Sequence, residues 1–277
     1  MKYELTNRIS ILALLVLALG LLPRLAPVAH AQILSRGNLF GPGAPPPMAG
    51  IEIGFGQHAE QGNLQCDCGS NFTTGTGTGL LGSLLFELPL DYTWAIGIKG
   101  GVDFKNFSTN GTINEVVIVI PPDPQLQPDT TAMYVQRTGK ITATYLGFAP
   151  YVQYQFFRMG PFVQAGLDVG FLIGNNLSQS RTLLTTSITK PGDTLNNLTF
   201  TNGTTTESIQ EGANQNVNTL RLGLLLSAGY NIQVSDRSVF CPLLTYDFPL
   251  TTTGNTAASN WKIGSLYATA ELKFRLD

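Results

Sequence analysis

The chain has 277 residues, a formal net charge of −2 and only 12% charged residues, about half the roughly 25% usual in a soluble domain. Nothing in it is basic enough to form a nucleic-acid surface. Cys66 and Cys68 lie two residues apart and Cys241 is remote, but His58 is the only histidine that would remain after cleavage of the first 31 residues, so neither a metal nor another cofactor is expected.

In chain order, Lys2 and Arg8 flank the start of an apolar run from Ile11 to Leu22, broken only by Gly20. Ala29-His30-Ala31 then offers a small-x-small cleavage site before Gln32. This pattern predicts a secretory signal peptide over 1–31. The run is shorter than the roughly 20 residues of a spanning helix, and Pro23 and Arg24 end it, which argues against an uncleaved anchor. Removal of Lys2, Arg8, Arg24 and Glu4 would leave 13 basic and 17 acidic residues. Residues 32–49 are Gly- and Pro-rich, with Pro45-Pro46-Pro47 unable to donate to a ladder, and are expected to form an irregular periplasmic leader.

From 50 to 277 strand signals alternate with loops. Strands are expected at about 50–57, 78–89, 93–108, 140–157, 160–174, 218–235, 238–251 and 261–276. Tight turns join strands two and three at Leu90–Thr93, four and five at Arg158–Pro161, and six and seven at Ser235–Ser238. The remaining connections, about 58–77, 109–139, 175–217 and 252–260, are long and rich in Asn, Thr, Gly and Ser. Short and long connections therefore alternate strictly, as in transmembrane barrels with short periplasmic turns and long outer loops. Val116 to Ile120 is an apolar stretch inside the second long connection. It is read as a hairpin rising above the membrane, with an extra strand pair and a ten-stranded barrel as the alternative.

Period-2 alternation marks two faces. In the fifth strand Val163, Ala165, Leu167, Val169, Phe171 and Ile173 oppose Gln164, Gly166, Asp168 and Gly170. In the last, Leu266, Ala268, Ala270, Leu272, Phe274 and Leu276 oppose Tyr267, Thr269, Glu271, Lys273 and Arg275. The polar face is mostly Gly, Ser, Thr and Gln, too sparse in charge for a large aqueous exterior. The apolar face runs for about nine or more residues, near the span of a tilted membrane strand. The expected fold is therefore all-β, an eight-stranded antiparallel up-and-down transmembrane β-barrel, integral to a bacterial outer membrane and in contact with its lipid. Aromatics near strand ends are expected at the membrane interfaces: Trp94, Phe156, Phe162, Phe240 and Phe274 on the turn side, and Phe104, Phe171, Tyr246 and Trp261 towards the loops.

The segment Leu146-Gly147-Phe148-Ala149-Pro150-Tyr151-Val152-Gln153-Tyr154, a tight turn, and Gly160-Pro161-Phe162-Val163-Gln164-Ala165-Gly166 resembles the central hairpin of OmpA/OmpX-like small outer-membrane barrels. The resemblance extends over about 50–277 and implies that fold. The chain departs from the family's terminal aromatic residue, ending Phe274-Arg275-Leu276-Asp277, and a peptidoglycan-binding domain after the last strand, with its tethering role, is not expected.

Eight strands leave an interior just wide enough for side chains to fill it. Inward positions supply the acids Glu52, Glu87, Asp103, Asp168, Asp247 and Glu271, and the bases Lys99, Lys105, Arg221, Lys273 and Arg275. Buried charges must be paired, so a salt-bridged polar plug is expected. Three functions stay open. The first is a structural or surface-binding barrel whose outer loops meet lipopolysaccharide or an extracellular ligand; the second is a small porin-like pore. The third is a lipid-modifying enzyme using His58 with Glu60 and Ser70, but no catalysis is expected from so sparse a set. Of Cys66, Cys68 and Cys241, at least one must be unpaired. Asn-x-Ser/Thr sequons at Asn71, Asn106, Asn110, Asn176, Asn197 and Asn202 reflect Asn/Thr-rich loops.

Overall fold

A computed structural model describes residues 45–276, apart from 66–70, 120–128, 158, 186, 191–192, 196–197, 201–202, 214–215 and 255–259. The signal peptide, most of the leader, and Cys66, Cys68 and Ser70 lie outside the described residues.

Twelve strands follow one another: β1 (Met48–Gln65), β2 (Asn71–Pro89), β3 (Trp94–Val119), β4 (Asp129–Gln155), β5 (Pro161–Leu183), β6 (Ile188–Lys190), β7 (Asp193–Leu195), β8 (Thr206–Gly212), β9 (Leu220–Tyr230), β10 (Ile232–Gln233), β11 (Ser238–Pro249) and β12 (Asn260–Arg275). Eight of them form the barrel. β1 to β5 pair in sequence, β9 pairs with β5 and with β11, and β12 pairs with β11 and with β1, closing the ring. Every ladder is antiparallel, and closure removes the unpaired edges that lipid would not tolerate. The barrel opens at Met48, two residues inside the stretch read as leader.

The faces follow the alternation. Ile51, Ile53 and Phe55 on β1, Leu80, Leu84 and Phe86 on β2, and Trp94, Ile96 and Ile98 on β3 all stand exposed, Leu84 by 70%. A continuous apolar belt of this size is stable only against another apolar phase. The intervening residues point inward and are buried or half-buried.

The tight turns are stabilised locally. The Asp91 carboxylate accepts from the backbone N–H of Thr93 at 2.6 Å and of Trp94 at 2.7 Å, an Asx-type closure of the β2–β3 hairpin. Gly160, at φ +134°, closes the β4–β5 turn in a conformation that side chains disfavour.

At the other end the strands run well past the belt. The β3–β4 ladder continues from Asn106↔Thr142 to Val119↔Asp129 without a break in register. Val116 is thus part of a long hairpin, and the ring stays at eight strands. β8 adds to the outer part of β5 only, and Val217 bridges Gly254 to tie two long connections together.

Candidate functional site

Inward-facing residues two apart on neighbouring strands build two ionic clusters inside the ring. The turn-side cluster starts from a conflict, because Glu52 on β1 and Glu271 on β12 are direct cross-strand partners and like charges opposite one another repel. Lys99 from β3 resolves it, with its Nζ 2.9 Å from Glu52 and 2.6 Å from Glu271. Lys273, two residues along β12, lies 3.1 Å from Glu271 and 2.6 Å from Glu87 of β2. The Tyr151 hydroxyl donates to Glu87 at 3.0 Å and Ser83 donates to Glu52 at 2.7 Å. Lys99 also sits over the Tyr151 ring and Lys273 over the Phe162 ring, at 5.4 and 5.5 Å from the centroids.

The loop-side cluster joins β3, β5, β9, β11 and β12. Lys105 Nζ is 2.8 Å from Asp103 and 3.3 Å from Asp247, and it donates to Ser265 at 2.8 Å and to the Tyr267 oxygen at 2.7 Å. The Tyr267 hydroxyl in turn donates to Asp103 at 2.7 Å. Arg221 from β9 forks between Asp168 and Asp247. His58 Nδ1 lies 2.8 Å from Ser265 Oγ, with its ring edge-on to Tyr267.

Between the clusters is a cavity of about 60 Å³ lined by residues that include Glu52, Lys99, Asp103, Tyr145, Asp168 and Asp247. Above the loop-side cluster Phe107, Ile141, Leu177, Val217, Trp261 and Ile263 pack into an apolar plug. Glu60 is buried on the same side of the lumen, and neither of its carboxylate oxygens has a hydrogen-bond partner. At the turn end Phe162, Val239, Cys241 and Leu243 pack together. The Cys241 thiol is free and donates to Asn231 Oδ1 at 2.9 Å.

Ten of the eleven charges expected in the lumen meet in these clusters: Glu52, Glu87, Lys99, Asp103, Lys105, Asp168, Arg221, Asp247, Glu271 and Lys273. Arg275 does not. It stands at the rim, where Nη1 donates to the Asp236 carbonyl at 2.7 Å, because the last turn of the ladder leaves solvent and backbone within closer reach than the buried acids.

Of the aromatics expected at the interfaces, Trp94, Phe104, Phe156, Phe171, Phe240 and Phe274 are exposed on the outer face, and Tyr246 is half-buried there. Phe162 and Trp261 are corrections, at 1% and 0% exposure. Phe162 has the parity of Gln164 and Trp261 that of Tyr267, so both follow their strand's inner row and fill the lumen. Position near a strand end does not override a period of two.

Of the three residues considered for catalysis, Ser70 lies outside the described residues. His58 pairs with Ser265, its Nε2 has no partner, and Glu60 is not joined to it. Among the described residues no group of three His, Cys, Asp or Glu side chains is placed to hold a metal ion. Of the tyrosines that complete the clusters, Tyr267 stands on the inner row that the alternation marks and Tyr151 shares a face with the charges it serves, but neither is among the lumen residues expected from the sequence.

Known proteins supply the remaining comparison. A family model described as outer membrane protein beta-barrel domain matches residues 49–254. Among solved structures, Ail of Yersinia pestis, the attachment invasion locus protein, is 11% identical, with 82% of this chain and 98% of that chain covered at a TM-score of 0.30. The outer membrane protein OprG of Pseudomonas aeruginosa is 10% identical, with 84% and 98% covered and a TM-score of 0.33. The outer membrane protease OmpT of Escherichia coli is 9% identical, with 83% and 97% covered and a TM-score of 0.30. No curated protein matches the sequence.

Proposed function

The chain belongs to the outer membrane protein beta-barrel domain family and is integral to the outer membrane, and from that premise we propose a structural and surface-binding barrel rather than a conduit. Its working surface is the set of long hairpins on the loop side, and its partners there are lipopolysaccharide or an extracellular ligand. Residues 1–31 serve export as a signal peptide, and the stretch from 32 up to the first strand at Met48 forms a periplasmic leader.

The observation that supports this reading is the β3–β4 ladder beyond the belt. Fourteen consecutive pairs, from Asn106↔Thr142 to Val119↔Asp129, carry the chain roughly 45 Å along the strands at the usual rise per residue. A barrel needed only to cross lipid has no use for so long a paired extension. The charge-filled lumen supports the same reading, since two ion clusters and an apolar plug occupy the path a solute would take.

The cavity between the clusters favours one second reading, a small porin-like pore. Single-channel recording of the refolded protein in a planar bilayer separates the two. A folded barrel that stays silent, and whose hairpin-shortened variant (Asn110 joined to Thr138 through a two-residue turn) loses binding to immobilised lipopolysaccharide or to host-surface ligands, fits the proposal. Steady, voltage-independent openings would replace it with the pore.

A further inference from the structure

The two ionic clusters share an imbalance. Among the described residues the turn-side cluster sets Glu52, Glu87 and Glu271 against Lys99 and Lys273. The loop-side cluster sets Asp103, Asp168 and Asp247 against Lys105 and Arg221. Each thus holds three carboxylates and two cations, and Arg275, which could have balanced one of the two clusters, is engaged at the rim. Uncompensated charge in a dry interior is costly, so the excess calls for a further positive charge inside the barrel.

The structure has a place for it. The cavity of about 60 Å³ lies between the clusters, with Glu52 of one and Asp103, Asp168 and Asp247 of the other in its wall. At about 15 Å³ per water-sized occupant it has room for roughly four. Two buried oxygens on its lining residues, Asp247 Oδ1 and the Tyr145 hydroxyl, have no hydrogen-bond partner. Both residues are 2% exposed, so bulk water does not satisfy them.

We propose that this cavity binds a small monovalent metal cation together with its waters. A divalent ion fits less well. It demands a shell of six or more oxygens with several anionic ligands, whereas each carboxylate here already shares its charge with a lysine or arginine, and among the described residues no three acids are placed to ligate one ion together. A singly charged ion needs only partial dehydration and neutral or shared oxygens, which Tyr145 and Asp247 supply. The cation is then an internal part of the fold, independent of what the outer hairpins bind.

The test is thermal unfolding of the full chain refolded in lipid, in sodium, potassium and N-methylglucamine chlorides at one ionic strength. N-methylglucamine is too large for the cavity, so it reports screening alone. The expected result is a midpoint a few degrees higher in sodium or potassium, saturating with concentration as binding to the native state requires. Asp168→Asn and Tyr145→Phe are expected to weaken that ion-specific protection several-fold; the second is the gentler change and decides if the first does not fold. Line broadening of sodium in magnetic resonance, reversed by potassium, reads the same site directly. Equal midpoints in all three salts, or ion-specific protection kept in full by both variants, would overturn the proposal and assign the excess charge to bound protons.

Discussion

Tyr151 lies directly across from Gly97 on the neighbouring strand, and a methyl group added at Gly97 would stand 2.3 Å from its ring. The glycine lets the ring lie flat against β3 while its hydroxyl reaches Glu87. Gly56 and Tyr267 repeat the arrangement on β1 and β12, with that hydroxyl serving Asp103. Gly97→Ala is therefore expected to displace Tyr151 and leave Glu87 short of a donor. The cost is about 1–3 kcal/mol, measurable as a lower urea midpoint in a lipid-refolded sample.

Among the described residues Lys99 is the only cation paired with Glu52, and it also holds Glu271. Lys99→Met should leave two acids face to face across β1 and β12, at a cost of about 3–5 kcal/mol. Adding Glu52→Gln to that variant should restore part of the loss, because it removes the repulsion. A double-mutant cycle by chemical unfolding checks the sign, and independent, additive effects would contradict the geometry.

The two tryptophans report the two sides of the wall. Trp94 is 46% exposed in the belt, while Trp261 is fully buried in the plug beside Phe107. In vesicles of brominated phospholipid, Trp261→Phe should leave an emission that the lipid quenches strongly. Trp94→Phe should leave one that it barely touches. The reverse would place Trp261 on the outer face.

Trp261→Ala should also destabilise the barrel by about 3–5 kcal/mol, as large-to-small changes in packed interiors do. Its neighbours Phe107, Ile141 and Ile263 can collapse only partly, since each is fixed to a ladder. Thermal unfolding followed by gel mobility gives the readout.

Glu60 is buried with both oxygens unpartnered, an arrangement that opposes stability. Glu60→Gln keeps the shape and removes the charge, and is expected to raise stability by on the order of 1 kcal/mol. An unchanged or lower midpoint would mean that the carboxylate has a role in the folded state.

Much of this architecture was legible in the sequence, and the reasons are physical. A period of two, with tight turns marked by Asp91 and Gly160, is enough to give eight strands and to sort Glu52, Lys99 and Lys273 onto the inner face. Strand ends were harder. Above the belt the outer row no longer has to be apolar, so Asn106 to Asn114 and Thr138 to Thr144 have the composition of loops while forming an unbroken ladder. Partners across the lumen were hardest. Lys105 and Asp247 meet over a separation of 142 residues, because strand tilt sets which rows come level, and tilt leaves no local trace. Phe162 and Trp261 show that parity is the stronger guide when it conflicts with position along the strand.

The seam of the ring joins its first strand to its last, with Met48 opposite Arg275 and sixteen residues of β1 facing β12. Until β12 arrives, β1 and β11 each present an open row of amide and carbonyl groups, and no lipid-embedded intermediate with fewer strands can satisfy them. The order of synthesis therefore delays insertion to its end, and the polypeptide must be kept unfolded in transit until its final segment is delivered. The same adjacency makes the ring indifferent to where the chain is cut. A circular permutant opened in an outer hairpin and joined across the seam should rebuild the same wall, with assembly waiting on a different strand.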